Sequence, residues 1–323
     1  MAKLAFSCAA LAAMLALLAG TPAAAVTKVW VSNAGNDGNP CTTAMPCLTF
    51  QHAHDTVAGG GEIGVLTPGD YGTILVAKSV NITNDSTGEA SILVPSGSGI
   101  FVGAGAGDVV SVRGLVIDGQ IVGRFGITLA TAAGLHVQNC VLRNLQTGTF
   151  ASGLWIIPGG NSQLFVSDTI SFNNGNGGLT GGIYLQPQGP GTVNAVFDRV
   201  HLENNVRGLI VDSTAATTGN GSHVILRDSV VSGNVSDGIL ALTGPGAIAS
   251  FISVERTSSV NNGGSGIAAN GAHATVLLGR STLTRNGAGV TTVNSGQLIS
   301  YGNNKNNNNI GPEGTATFTF TQF

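Results

Sequence analysis

A short glycine-led segment recurs along most of this chain, and the recurrence limits the fold more than any other feature. A Gly followed by an aliphatic residue, a variable residue and an aliphatic or small residue begins at Gly99, Gly126, Gly153, Gly182, Gly208, Gly238, Gly266 and Gly289, at spacings of 27, 27, 29, 26, 30, 28 and 23 residues. A second element precedes the following anchor: VSDTISFNN from Val166, VFDRVHLENN from Val196, ILRDSVVSGN from Ile225 and SVERTSSVNN from Ser253. Six residues on from Asp168, Asp198, Asp228, Glu255 and Arg280 stand Asn174, Asn204, Asn234, Asn261 and Asn286. The apolar stretches are short, rich in β-branched residues and bounded by Gly, Asn or Asp, which marks strands rather than helices. A unit of this length with several short strands cannot bury its inner face alone, so it becomes stable only by stacking on its neighbours. A leucine-rich repeat is excluded because no Leu framework recurs.

Strand side chains alternate, so residues one and three after each anchor Gly are expected to face the core and residue two to face out. That outward row reads Thr128, Trp155, Tyr184, Ile210, Leu240, Ala268 and Thr291. The recurring asparagines have a structural reading. An Asn at a turn tolerates left-handed backbone, and its amide can donate and accept between stacked rungs.

These repeats resemble the right-handed parallel β-helix, or pectin-lyase-like, superfamily. The N-terminal stretch VWVSNAGNDGNP…PCLTFQHAHDTVAGGGEIGVLTPGDYG is similar to that family's first strand, capping helix and entry strand. The resemblance implies an all-β, right-handed parallel β-helix (β-solenoid) of about 8–10 rungs with a short N-terminal capping helix. After a signal peptide (1–25), it divides the chain into an N-terminal cap (26–72), β-helix repeats (73–310) and a C-terminal closing strand (311–323). Within the cap, residues 49–58 suit the helix: Thr49 is placed to cap it, Phe50, Ala53 and Val57 share a face, and Gly59–Gly61 stops it. An outer-membrane barrel is rejected because Phe318 and Phe320 have the wrong parity relative to Phe323.

Lys3, the apolar run Leu4–Leu18 and Ala23–Ala25 read as a secretory signal, so export to the periplasm or the outside of the cell is expected. No later segment is long and apolar enough to span a membrane. Without Lys3 the chain has 12 basic and 16 acidic residues and no basic block, which argues against a nucleic-acid partner. Cys41 and Cys47 bracket TTAMP and are expected to form a local disulfide; a redox or metal pair would need partners that are not nearby. Cys140 reads as a buried small hydrophobe.

Pectate-lyase-like relatives imply clustered carboxylates for calcium and a basic residue that abstracts a proton; polygalacturonase-like relatives imply several close Asp residues. Neither pattern is present. The outward position four after each anchor gives Ala130, Ile157, Gln186, Asp212, Leu242, Asn270 and Val293, a single carboxylate, so nothing supports calcium and no metal or cofactor is expected. His136, His223 and His273 lie 10, 15 and 7 residues after their anchors and form no evident ladder. The segment DRVHLENNVRGLIVDS leaves Asp212, Arg207, His201 and Glu203 as catalytic candidates, and Asp212 with Asp237 as a possible acid pair. Trp155 and Tyr184, from consecutive rungs, are expected to project side by side, with two readings open: an exposed sugar-stacking pair, with Gln186 and Asp212 taking hydroxyl hydrogen bonds, or rings covered by a loop such as 213–222 or by a second copy of the chain. Two functions stand at this point: an exported protein that binds, and in one variant cleaves as a lyase or hydrolase, an extracellular or cell-envelope polysaccharide; or a non-catalytic structural or adhesive solenoid.

Overall fold

The expected stacking is present in the computed structural model, which describes residues 26–320 except Ser86 and Ala247. The proposed signal segment lies outside the described residues. Parallel strands form three sheets: sheet A with 12 strands, sheet B with 10 and sheet C with nine, each rung contributing to A, then B, then C. The anchors mark sheet C. Its strands include Phe125–Thr131, Ser152–Ile156, Gly181–Leu185, Arg207–Asp212, Ile239–Leu242 and Ser265–Asn270.

Like side chains stack on like through the core. Ile127, Leu154, Ile183, Leu209, Ile239 and Ile267 stand in register along sheet C, all essentially inaccessible to solvent. The anchor glycines are required by close approach: a Cβ on Gly153 would sit 2.2 Å from Ser171 Oγ, and one on Gly238 would sit 2.5 Å from Ser259 Oγ. Those hydroxyls donate to the Gly182 and Gly266 carbonyls, tying sheet B to sheet C across the core.

The asparagine ladder exists, with one correction. Left-handed backbone occurs at Asn173, Asn204, Gly233, Asn261, Arg285 and Asn308, and the residue after each is the ladder amide, buried in every case but Asn309, which is half-buried. Thus the Oδ1 atoms of Asn174, Asn205, Asn234, Asn262, Asn286 and Asn309 accept from the backbone N–H one rung earlier, at 2.9–3.1 Å. Asn204 and Asn261, expected in the ladder, are turn residues instead. The two tasks cannot share one residue: the left-handed residue reverses the chain, and this throws the next side chain inward. The true register starts from the corner between sheets A and B, where Asp168, Arg199, Asp228, Arg256 and Arg280 are left-handed. Counting six residues from each of these reaches the ladder in every case.

At the N-terminal end a helix, α1 (Phe50–Thr56), covers the core, and Thr49 Oγ1 accepts from His52 N–H at 3.2 Å. Asp37 fixes its entry by accepting from the Leu48 and Thr49 N–H groups and the Thr49 hydroxyl. Phe50 packs on Tyr71 at 5.0 Å. The Cys41–Cys47 disulfide is formed, so its sulfurs are not free for metal beside His52. Cys140 is buried, and burial pushes its thiol up to about 11. At the far end Phe318–Thr319 pairs with Ile299–Ser300 in sheet A. Among the described residues no helix is long and apolar enough to cross a membrane.

Asp118, on the outer face of sheet B, illustrates how acid should act on the solenoid. Burial works to raise its pKa, but bonds from Asn144, the Gln120 N–H and Arg143 outweigh it and hold the carboxyl below its ordinary value. A carboxylate with a depressed folded pKa stabilises above its unfolded pKa, and the contribution disappears as pH falls through the folded value. The urea midpoint of the wild type is therefore expected to exceed that of Asp118→Asn at pH 7, with the gap narrowing progressively as the pH falls below 3.8.

Candidate functional site

Sheet C carries the residues singled out in the sequence. Thr128, Trp155, Tyr184, Ile210, Leu240, Ala268 and Thr291 form one continuous row, so the expected side-by-side placement of Trp155 and Tyr184 is correct. Of the two readings open for the pair, coverage holds: Tyr184 is buried and Trp155 half-buried. Tyr184 and Ile210 are 0% exposed, and with Leu240 and Ala268 they make a second apolar cluster under Phe150, Leu179 and Trp155. Trp155 stacks on Phe125 at 4.1 Å and on Phe150 at 6.2 Å, with the Arg124 guanidinium above both Phe125 and Trp155.

The cover comes from the connections between sheets B and C. Residues 144–151 and 173–180 take eight residues each in the rungs of Trp155 and Tyr184, against three to six in the four rungs that follow. Phe150 and Leu179 ride on those two long connections. The interval from each ladder position to the next anchor Gly carries the same signal in the sequence.

Asp212 does meet Tyr184, and Gln186 reaches that pair through the Asp212 carboxylate. Asp212 is 1% exposed and accepts from the Tyr184 hydroxyl at 2.7 Å, Gln186 Nε2 at 3.0 Å and the Thr214 N–H at 2.8 Å. Burial first, and the Asp212 charge second, push the Tyr184 phenol far above its ordinary pKa. Three protein donors already engage the carboxylate, and at 1% exposure it is closed to a ligand.

The four catalytic candidates are not brought together. Arg207 opens the same strand that Asp212 ends, and it pairs with Asp237 at 3.2 Å and donates to the Gly178 carbonyl. Five residue steps along the strand, roughly 16 Å, separate Arg207 from Asp212, which puts Asp212 and Asp237 at opposite margins of sheet C and beyond the carboxylate separations used in glycoside hydrolysis. His201 and Glu203 lie on the outer face of sheet B and bond each other at 2.9 Å.

An open aromatic face occurs elsewhere, on sheet A. One outward row runs His136, Phe165, Val196, Ile225, Ser253 and Leu277; the adjacent row runs Gln163, Asn194, His223, Phe251 and Thr275. His136 stacks on Phe165 at 4.8 Å and 18°, and His223 lies against Phe251 at 6.0 Å and 40°. Phe165 is 39% exposed and Ile225 44%, while Phe251 is half-buried. Between the two aromatic pairs lies a depression of about 300 Å³ lined by Gln163, Phe165, Asn194, Val196, His223, Ile225 and Phe251. Phe165 and Phe251 are three strands apart, about 14 Å along the solenoid.

Counting from the anchors missed this face because the connections from sheet C to sheet A vary in length. Counted back from the left-handed corner, His136, Phe165, Val196, Ile225, Ser253 and Leu277 are all third, and Gln163, Asn194, His223, Phe251 and Thr275 are all fifth. His273 belongs to neither row and lies exposed just before strand Ala274–Gly279.

No family model matches the chain, and no curated protein matches it. Among solved structures, pectate lyase Pel9A aligns over 91% of this chain and 78% of its own, with a TM-score of 0.51 and 16% identity. ORF18 of Geobacillus virus E2 aligns over 87% of this chain and 60% of its own, with a TM-score of 0.46 and 14% identity. A rhamnogalacturonan lyase aligns over 88% and 87%, with a TM-score of 0.26 and 11% identity. Continuous parallel sheets, stacked aliphatic files and the alignment with Pel9A agree: this chain has a parallel β-helix fold similar to that of pectate lyase Pel9A.

Proposed function

We propose that the protein binds an extended extracellular polysaccharide along the outer face of sheet A, and that it binds without cleaving. The carrying observation is the trough bracketed by the His136–Phe165 and His223–Phe251 pairs, with the Asn194 and Gln163 amides between them. Aromatic faces accept the C–H faces of sugar rings, and side-chain amides take hydroxyls in either direction. A long flat face of repeated strands suits a repeating polymer. The fold likeness to a pectate lyase supports a polysaccharide as the ligand class, and the Cys41–Cys47 disulfide fits an oxidising compartment. Separation of the acidic candidates favours binding over hydrolysis.

The structural or adhesive reading is favoured by one observation, the closure of sheet C by the protein's own loops. Affinity electrophoresis across a polysaccharide panel separates the two. At least one polymer is expected to retard the wild type and Trp155→Ala equally, with retardation by that polymer largely lost in Phe251→Ala and no new reducing ends released. Retardation by no polymer, or retardation indifferent to Phe251→Ala, sinks the binding reading in favour of the structural one.

A further inference from the structure

Resting on that reading, we infer that the sheet A trough takes a neutral polysaccharide rather than a polyuronate. Gln163, Phe165, Asn194, Ile225 and Phe251 bring no formal charge to it, the His223 imidazole is its one ionisable lining group, and among the described residues no Lys or Arg lines it. A polyuronate carries a carboxylate on each sugar, and a site for it supplies guanidinium or ammonium partners to replace the lost hydration.

Arginines do stand next to the trough, but they are already engaged. Along the corner between sheets A and B, Arg199 pairs with Asp168 and Asp198, Arg227 with Asp198, Arg256 with Asp228 and Glu255, and Arg280 with Glu255. Four guanidiniums meet four carboxylates there, so the border has no net charge to offer. A polyanion laid in the trough would approach Asp198 and Glu255, each two residues along its strand from the outward row at Val196 and Ser253. The site therefore rewards apolar sugar faces and hydroxyls and penalises carboxylates.

Isothermal titration of the folded protein with neutral β-linked hexasaccharides, namely cellohexaose, mannohexaose, xylohexaose and laminarihexaose, and with hexagalacturonate tests the inference. A neutral member is expected to bind, with little change between 0.05 and 0.5 M NaCl, since no ion pair is available to be screened. Phe165→Ala and Phe251→Ala are each expected to weaken it by about tenfold, with circular dichroism confirming that both variants remain folded. Hexagalacturonate binding that is salt-sensitive and lost in Phe251→Ala overturns the neutral assignment while leaving the sheet A site standing. Binding of either class that is indifferent to both Phe variants, or no binding by any hexasaccharide, overturns the site itself and the inference with it.

Discussion

Asn205→Ala is expected to lose about 3–5 kcal/mol of stability in urea unfolding, while Asn204→Ala loses about 1 kcal/mol and Asn204→Gly is neutral within about 0.5 kcal/mol. The two residues are adjacent and chemically identical, so only their places in the turn separate them. The Asn205 amide accepts from the Asn174 N–H at 3.0 Å and donates to the Ser171 carbonyl at 2.9 Å, both buried. Alanine leaves both groups without partners and opens a void in the core, and each orphaned group carries its own desolvation cost. Asn204 is exposed with a φ of 54°, so alanine there costs only the left-handed preference, which glycine restores. Equal losses at the two positions would refute the ladder register.

Asp212→Ala is expected to cost a similar amount, about 3–5 kcal/mol, because it strands the Tyr184 hydroxyl, the Gln186 amide and the Thr214 N–H together. Tyr184→Phe, which removes one donor and keeps the ring, is expected to cost about 2 kcal/mol. Because the two groups touch, the double variant should fall short of the sum by about 1–3 kcal/mol. Urea titrations of the four proteins give this cycle. A loss below about 1 kcal/mol for Asp212→Ala would mean that water already reaches the carboxylate, and that the sheet C face stands open in solution.

Much of the architecture was legible because a stacked repeat writes its geometry into the chain at fixed intervals. Glycine recurs where a Cβ would strike the next rung, and aliphatic residues recur where rungs stack, so the anchor spacing pointed directly to sheet C and to the in-register row containing Trp155 and Tyr184. Thr49 as helix cap and Cys41 with Cys47 as a local pair were equally visible, because caps and short disulfide loops are local in sequence. The asparagine ladder was displaced by one residue in two rungs, since in an Asn-Asn pair composition does not say which residue turns and which points inward.

The binding face was less legible. Alternation determines which side of a strand a residue takes, and Tyr184 does point away from the core. Whether that side meets water depends on what another segment lays over it, and Phe150 and Leu179 arrive from connections whose paths no periodicity records. Likewise, Phe165 and Phe251 lie 86 residues apart in the chain and frame one depression only because three sheets wind at a common pitch. The sequence alone determined the stacked rungs, the inward files and the polar turns, because these follow from local sterics and repeat period. The tertiary structure decided which outward face stays open, because exposure is a property of every segment packed nearby.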